Sequence, residues 1–396
     1  MADSPWKIPL SDLEYGAEEE EAVLRVIRSK WLTQGPETQK FEEEFAAYLG
    51  VEKECVVAVS SATAALHLGM LTLSISEEAE VIQPALNFVA LANITSHLGA
   101  VPMFADIESL SAPFTSLEHS EKLLTPKTKV LAVMAYGGIV PAMDRYRDFC
   151  TAHDLLLIED ACHALGADYQ GKRIGTWGDM AAFSFYSNKN MSVGEGGMLV
   201  TRDPEIAAQA RQLRSHGMTR RTWERHQGGA AGYDITAAGL NYRIDEIRSA
   251  LGRIQLAKLN QFNEKRREKS LFYDSTISNK SNSDNKNWEL PGGSTSTERA
   301  ASACHIYPLL AKSKNQRDQL AAALNSEKIQ TSHHYPLVPG FEHYLNRLGI
   351  NESELAEHWP ISADFTDREI TLPLWPGITR EQIKQVVSVI DSKKIS

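Results

Sequence analysis

Apolar positions along the chain change their spacing several times, and each change marks an element. Residues 17–29 have helical spacing, with acids in the first turn and Arg28 in the last, matched to the helix dipole. Trp31-Leu-Thr-Gln-Gly-Pro36 breaks that pattern, and Phe41, Phe45 and Leu49 resume it on one face of a second helix. From Cys55 onward, short β-rich runs alternate with helix-length segments. Residues 55–59, 80–83, 101–105, 130–135, 155–159, 181–186 and 198–201 read as strands, and 62–73 and 88–98 as helices. Apolar runs separated in this way predict a mainly parallel sheet with helices on both faces. Ligands of such sheets gather beyond the carboxyl ends of the strands. That singles out Ser60, Pro84, Asp160 and the segment after Phe185.

From about Asn241 the pattern changes. Residues 244–259 form a long amphipathic helix that extends into the charged segment 263–269. Residues 277–297, rich in Ser, Asn and Gly, read as a loop or insertion. A strand at 306–310 and helices at 316–324 and 380–390 then predict a smaller α/β unit. With 396 residues, two domains are expected, at 1–250 and 251–396. The fold class is α/β: a large domain with a mostly parallel sheet of the seven-stranded type flanked by helices, and a smaller C-terminal α/β domain.

Composition narrows the function. Hydrophobic residues make up 42% and charged residues 23%, which excludes a largely disordered chain. A net charge of −10 argues against nucleic acid and against anionic membrane surfaces as partners. The four cysteines lack CxxC spacing, so neither a disulfide framework nor a zinc site is suggested and no metal is expected. The N-terminus has no basic start followed by an apolar run, and no apolar stretch is long enough for a bilayer. A cytoplasmic enzyme is expected.

The sharpest segment runs from Phe183 to Gly197, FSFYSNKNMSVGEGG. Lys189 lies in a short loop after an apolar strand, and a glycine turn and another strand follow it. Such a lysine is either solvated or, if desolvated, a nucleophilic amine able to form a Schiff base. Upstream, Asp160 ends another apolar strand, and a carboxylate there needs a cationic partner. The pyridinium nitrogen of pyridoxal phosphate (PLP) is one such partner, and capping a helix N-terminus is the alternative. His163 is either a packed histidine or a contact for the cofactor's phenolic oxygen. Small residues from Ser60 to Ala65 at a strand-to-helix junction leave amides and hydroxyls for a phosphate, and Ser184 supplies another hydroxyl. Phe88 is a candidate to stack on a flat ring or to pack in the core.

In that order, these motifs resemble the DegT/StrS family of PLP-dependent sugar aminotransferases, within the aspartate-aminotransferase fold. The resemblance covers Ile8 to about Ile390, and Gly239-Leu-Asn241-Tyr-Arg243 belongs to it. It implies that Lys189 forms the Schiff base and shuttles the proton, while Asp160 pairs with the pyridine nitrogen. His163 lies beside the ring and Phe88 stacks on it. Ala62, Thr63 and Ser184 hold the phosphate. Asn241 reaches the phosphate of the neighbouring subunit's cofactor, which makes the active unit a homodimer. L-glutamate is the implied donor and a nucleotide-linked keto-sugar the acceptor.

Residues 331–338, TSHHYPLV, resemble the family's substrate-side segment, with His334 and Tyr335 as contacts or plain loop residues; Trp31 and Arg243 are candidates for the entrance. Two departures stand out: Ala62 where the family often has glycine, and a longer 277–297 stretch. Dehydratase relatives carry histidine in place of the lysine, so Lys189 favours transamination. The alternatives are amination of a cyclitol ketone such as an inosose, a PLP-binding regulator without turnover, and a paralogue with no cofactor.

Overall fold

In a computed structural model, which describes residues 5–220, 223, 226–228, 232–280, 288–293 and 296–391, the apolar runs form one seven-stranded sheet. Its strands are β1 (Val56–Val59), β2 (Glu80–Pro84), β3 (Val101–Ala105), β4 (Thr128–Met134), β5 (Leu156–Asp160), β6 (Met180–Ser184) and β7 (Gly197–Thr201). They lie in the order β1-β7-β6-β5-β4-β2-β3. Strands β2 to β6 pair in parallel, and β7 runs antiparallel to both β1 and β6. The exception follows from the connection. Residues 185–196 contain no crossover helix, and a parallel return needs one.

Side chains alternate between two cores, as the pleat requires. Val56, Ala58, Leu131, Val133 and Leu157 enter one. Val57, Val59, Val130, Ala132 and Ile158 enter the other, with Ala64, Ala65 and Leu68 of a helix that starts directly after β1. The same alternation separates two adjacent acids at the end of β5. Glu159 shares the face of Leu157, and its carboxyl group accepts the backbone N–H groups of Gly175, Trp177 and Gly178 at 2.5–2.7 Å. Burial raises its pKa, while these three amides act to lower it. Asp160 falls on the opposite face, toward the helix after β1.

The first two helices are α1 (Ala17–Ser29) and α2 (Pro36–Leu49); α2 begins earlier than its apolar positions suggest because Pro36 occupies its first turn. Gly35 has no side chain to cap α2. Glu246 does so from across the fold, accepting the N–H groups of Gly35, Glu37 and Thr38 at 2.8–2.9 Å. The helix after β1, α3 (Ala62–Thr72), is capped locally by the Ser61 hydroxyl, which accepts Ala64 N–H at 3.1 Å. Gly197 at the start of β7 lets that strand approach the same turn. A Cβ there would lie 2.4 Å from Ser61 C and 2.6 Å from Ala62 N.

A helix of 35 residues, Glu246–Lys280, contacts α1 and α2 at its start and the C-terminal helix Arg380–Ile390 further on. The expected boundary at 250/251 falls inside it. Residues 277–280, read as loop from composition, are its last turn. Buried Tyr273 and Ile277 continue its apolar face at i, i+4 spacing. Asp274 pairs with buried Arg299 at 2.9 Å. Of the rest of that stretch, residues 281–287, 294 and 295 lie outside the described residues. A second, two-stranded antiparallel sheet pairs β8 (Tyr307–Leu310) with β9 (Glu369–Leu372). Its core takes in Leu320, Ile383 and Val387, and also Ile8 from the N-terminal segment. Among the described residues, no helix is long and apolar enough to cross a membrane.

Gly197→Ala forces backbone against backbone, and no flexible side chain is there to move. The variant is expected to lose about 1–3 kcal/mol, read as a lower denaturant midpoint; an unchanged midpoint would show that β7 can retreat from α3.

Candidate active site

The carboxyl ends of β1, β5 and β6 and the loop after β6 enclose a cavity of about 480 Å³. That is within the range of roughly 300–1,000 Å³ usual for small-ligand sites. Ala62, Thr63, Phe88, Asp160, His163, Ser184, Lys189, His334 and Tyr335 all line it. Nine residues expected from the sequence thus come together, although Ala62 and Tyr335 are 273 positions apart in the chain.

At one end are the first amides of α3. Ser61 satisfies Ala64, and the N–H groups of Ala62 and Thr63 have no intrahelical acceptor. With the Thr63 and Ser184 hydroxyls and the helix dipole, they form a seat for an anion. At the other end Asp160 accepts the Cys162 N–H at 3.2 Å through Oδ1. Lys189 lines the same cavity. Burial lowers its pKa, and the neighbouring Cys162 and Asp160 oppose that shift. Phe88 is 54% exposed and Tyr186 48% exposed at the rim, so both rings present surface to whatever enters.

Three histidines surround the lysine, each buried. His163 accepts Gly137 N–H on Nδ1 at 3.2 Å, and its Nε2 is 2.9 Å from the Tyr335 hydroxyl. A backbone N–H can only donate, so the neutral ring carries its proton on Nε2 and gives it to Tyr335. Both nitrogens are therefore engaged within the chain, and what His163 offers a ligand is its ring face. His334 bonds Thr371 through Nδ1 at 2.8 Å, and its backbone N–H donates to Glu369 at 2.9 Å. Burial holds the pKa of His163 well below the ordinary value and brings His334 down to about 3; the Lys189 charge acts in the same direction on both. The third, His305, had no motif to announce it. Its Nε2 lies 3.5 Å from Lys189 Nζ, and burial, with His163 next, lowers its pKa as well.

Three other expected residues lie elsewhere in this chain. Asn241 is exposed and pairs with Ser215 in an isolated bridge. Arg243 lines a second cavity of about 470 Å³ with Arg211, Arg214 and Trp223. Trp31 lies 4.7 Å, ring to ring, from Trp223. Residues that sequence reasoning did not single out in the first cavity include Tyr186, Asn188 and Glu195. Their positions flanking Lys189 were the available signal.

The donor set fits PLP. An amine, a carboxylate lining the cavity, an anion seat and aromatic faces complement a flat, cationic, phosphate-bearing aldehyde. The close approach permitted by Gly197 keeps the seat at the end of the sheet.

Residues 14–391 match the sequence model of the DegT/DnrJ/EryC1/StrS aminotransferase family. The chain is 32% identical over 377 residues to dTDP-4-dehydro-2,3,6-trideoxy-D-glucose 4-aminotransferase of Saccharopolyspora spinosa, covering 94% of this chain and 92% of that one. Among solved structures it resembles Helicobacter pylori PseC, an aminotransferase involved in the biosynthesis of pseudoaminic acid. The TM-score is 0.85 with 28% identity, over 98% of this chain and 99% of that chain. It also resembles the PMP form of Spr1654 from Streptococcus pneumoniae, with TM-score 0.85 and 27% identity over 98% of each chain.

The three histidines stay neutral in the fold where an unfolded chain would protonate them. Below pH about 6.5 the unfolded state therefore binds more protons, and stability is lost as pH falls from there toward the depressed pKa values. Each contributes at most about 1.4 kcal/mol per pH unit. His334→Gln is expected to flatten the fall in unfolding free energy between pH about 6 and about 4 by up to that amount. Denaturant titrations at several pH values measure it, and parallel curves for the two proteins would refute it.

Proposed function

The chain belongs to the DegT/DnrJ/EryC1/StrS aminotransferase family, and from that premise we propose that it moves an amino group from L-glutamate to a nucleotide-linked keto-sugar. The observation that carries this reading is Lys189, a partly buried amine that lines one cavity with an anion seat and the Asp160 carboxylate. A bound PLP would supply an aldehyde to hold the amine and a ring to take up electron density. The residues present assign the rest. Lys189 would hold the cofactor and, once released, move a proton at the substrate carbon. Asp160 would keep the pyridine nitrogen protonated. Ala62, Thr63 and Ser184 would bind the phosphate, and Phe88 and the ring of His163 would bracket the cofactor.

The sugar acceptor is supported by the Saccharopolyspora spinosa relative, whose name specifies a dTDP-linked keto-sugar. Support for PLP comes from the family and from Spr1654, which has been solved in both PLP and PMP forms. His334 and Tyr335 are proposed substrate-side contacts. A homodimer is proposed because Asn241 lies outside the Lys189 cavity of its own chain, where it would serve the phosphate of a neighbour's cofactor. Cytoplasmic location remains part of the same reading.

The purified protein is expected to show a visible absorbance band that bleaches on addition of L-glutamate, and Lys189→Ala is expected to lack it. A band indifferent to every amino donor would overturn transamination; no band after adding PLP would overturn the cofactor assignment. Asp160→Asn is expected to retain bound cofactor but to slow the bleaching about 10²-fold or more, measured by rapid mixing.

A further inference from the structure

His305 has no part in the proposed function, yet it touches the residue on which that function rests. It lies just before β8, 116 positions from Lys189, with Nε2 at 3.5 Å from Lys189 Nζ. Its Nδ1 is 2.9 Å from Asn190 Oδ1. Asn190 Nδ2 donates to Ala303 O and to Asn263 Oδ1, both at 2.7 Å. Asn263 Nδ2 in turn donates to Leu165 O at 2.9 Å. The two backbone carbonyls can only accept, so they fix the orientation of both amides. Asn190 Oδ1 must then accept, and His305 must carry its proton on Nδ1.

A neutral His305 consequently turns the lone pair of Nε2 toward Lys189. An imidazolium is opposed by burial and by nearby His163, Lys189 and Arg266. Arg266 also donates to His305 O at 3.0 Å, which holds the backbone of this segment. The contacts close a ring. Lys189 touches His305, His305 bonds Asn190, and Asn190 is the next residue after Lys189.

We propose that His305 is a positioning residue for Lys189: Nε2 accepts one hydrogen of the lysine amine and so turns the amine's lone pair away from itself, into the cavity. The proposal rests on the reading of Lys189 as the amine that holds the cofactor. A primary amine at the end of four methylenes rotates readily about its last bond. One acceptor at a fixed place removes much of that freedom. The distance of 3.5 Å is at the outer limit of a hydrogen bond, so a modest movement of the lysine end decides whether the contact is made. Misplacing a reacting atom by about 1 Å can cost about 10²-fold in rate.

The test compares wild type, His305→Leu and His305→Gln as full-length proteins freed of cofactor and checked for folding by thermal unfolding. Each is mixed with PLP, and the growth of the visible band gives the rate of reaction at Lys189. His305→Leu, which removes the acceptor, is expected to react about 10- to 100-fold more slowly. His305→Gln, which restores an acceptor oxygen, should stay within about threefold of wild type. Independently, the ¹⁵N shifts of His305 in histidine-labelled wild type, assigned by their loss in His305→Gln, should show the Nδ1–H tautomer.

Wild-type rates in folded His305→Leu would overturn the proposal, as would a folded His305→Gln no faster than His305→Leu. An Nε2–H ring or an imidazolium would overturn it whatever the rates. If His305→Leu does not fold, the glutamine variant and the nitrogen shifts decide: a glutamine variant slowed more than about tenfold counts against the proposal. Failure of wild type to form the band would refute the reading of Lys189 instead, and the nitrogen shifts would then judge the His305 contact alone.

Discussion

A primary amine drawn partly out of water, beside histidines that themselves hold no positive charge, is the constraint on which the rest of the site depends. Burying an ammonium is costly, and each additional buried cation nearby makes it more so. Lys189 is surrounded by three histidines, any of which would repel it if protonated. Each is held neutral by burial and tied to a specific partner: His163 to Gly137 and Tyr335, His305 to Asn190, His334 to Thr371. The partners do more than satisfy polar atoms. They choose which nitrogen carries the proton in His163 and His305, and so which side of each ring donates and which accepts. Asp160 and Cys162 act in the opposite direction on Lys189. Its basicity is thus set by burial against nearby acidic groups.

The sheet brings these groups together by simple geometry. Parallel strands end at one edge, so the residues after them converge whatever their separation in the chain. Pleating then decides which side chains face the convergence. Glu159 and Asp160 are adjacent acids with opposite fates because one residue along a strand is one change of face. Glu159 is consumed in fixing the turn of residues 175–178, and Asp160 lines the cavity. The antiparallel β7 adds the last piece, since its glycine start allows it to press against the first turn of α3.

Much of this was legible in the sequence. The alternation of short apolar runs with helix-length segments is a local property, and so are the ends of β1, β5 and β6 that carry Ser60, Asp160 and Ser184. Lys189 stood out because its loop sits between two apolar strands and ends in glycines. What was not legible is what depends on distant partners. His305 follows an unremarkable Ala-Cys pair, and only the packing of residues 302–306 against the Lys189 loop gives it a role. The pairing of Tyr335 with His163 joins residues 172 positions apart. The last turn of the Glu246–Lys280 helix was hidden for a different reason: Ser and Asn dominate its composition, while Tyr273, Ile277 and the Asp274–Arg299 pair hold it helical.

Two substrates of very different size must use one cavity under the proposed function, and the distribution of residues suits that demand. The buried end holds what both half-reactions share, the amine, the carboxylate and the anion seat. A charge misplaced there affects both substrates alike, which explains the dense and fully determined hydrogen bonding around His163, His305 and Asn190. The rim is different. Phe88 and Tyr186 are about half exposed and Glu195 stands within the glycine turn. Discrimination between a small dicarboxylic donor and a bulky acceptor has to come from contacts that only one of them reaches. Such contacts belong at the rim, where a change of side chain can alter the acceptor without disturbing the neutrality of the three histidines that keeps Lys189 competent.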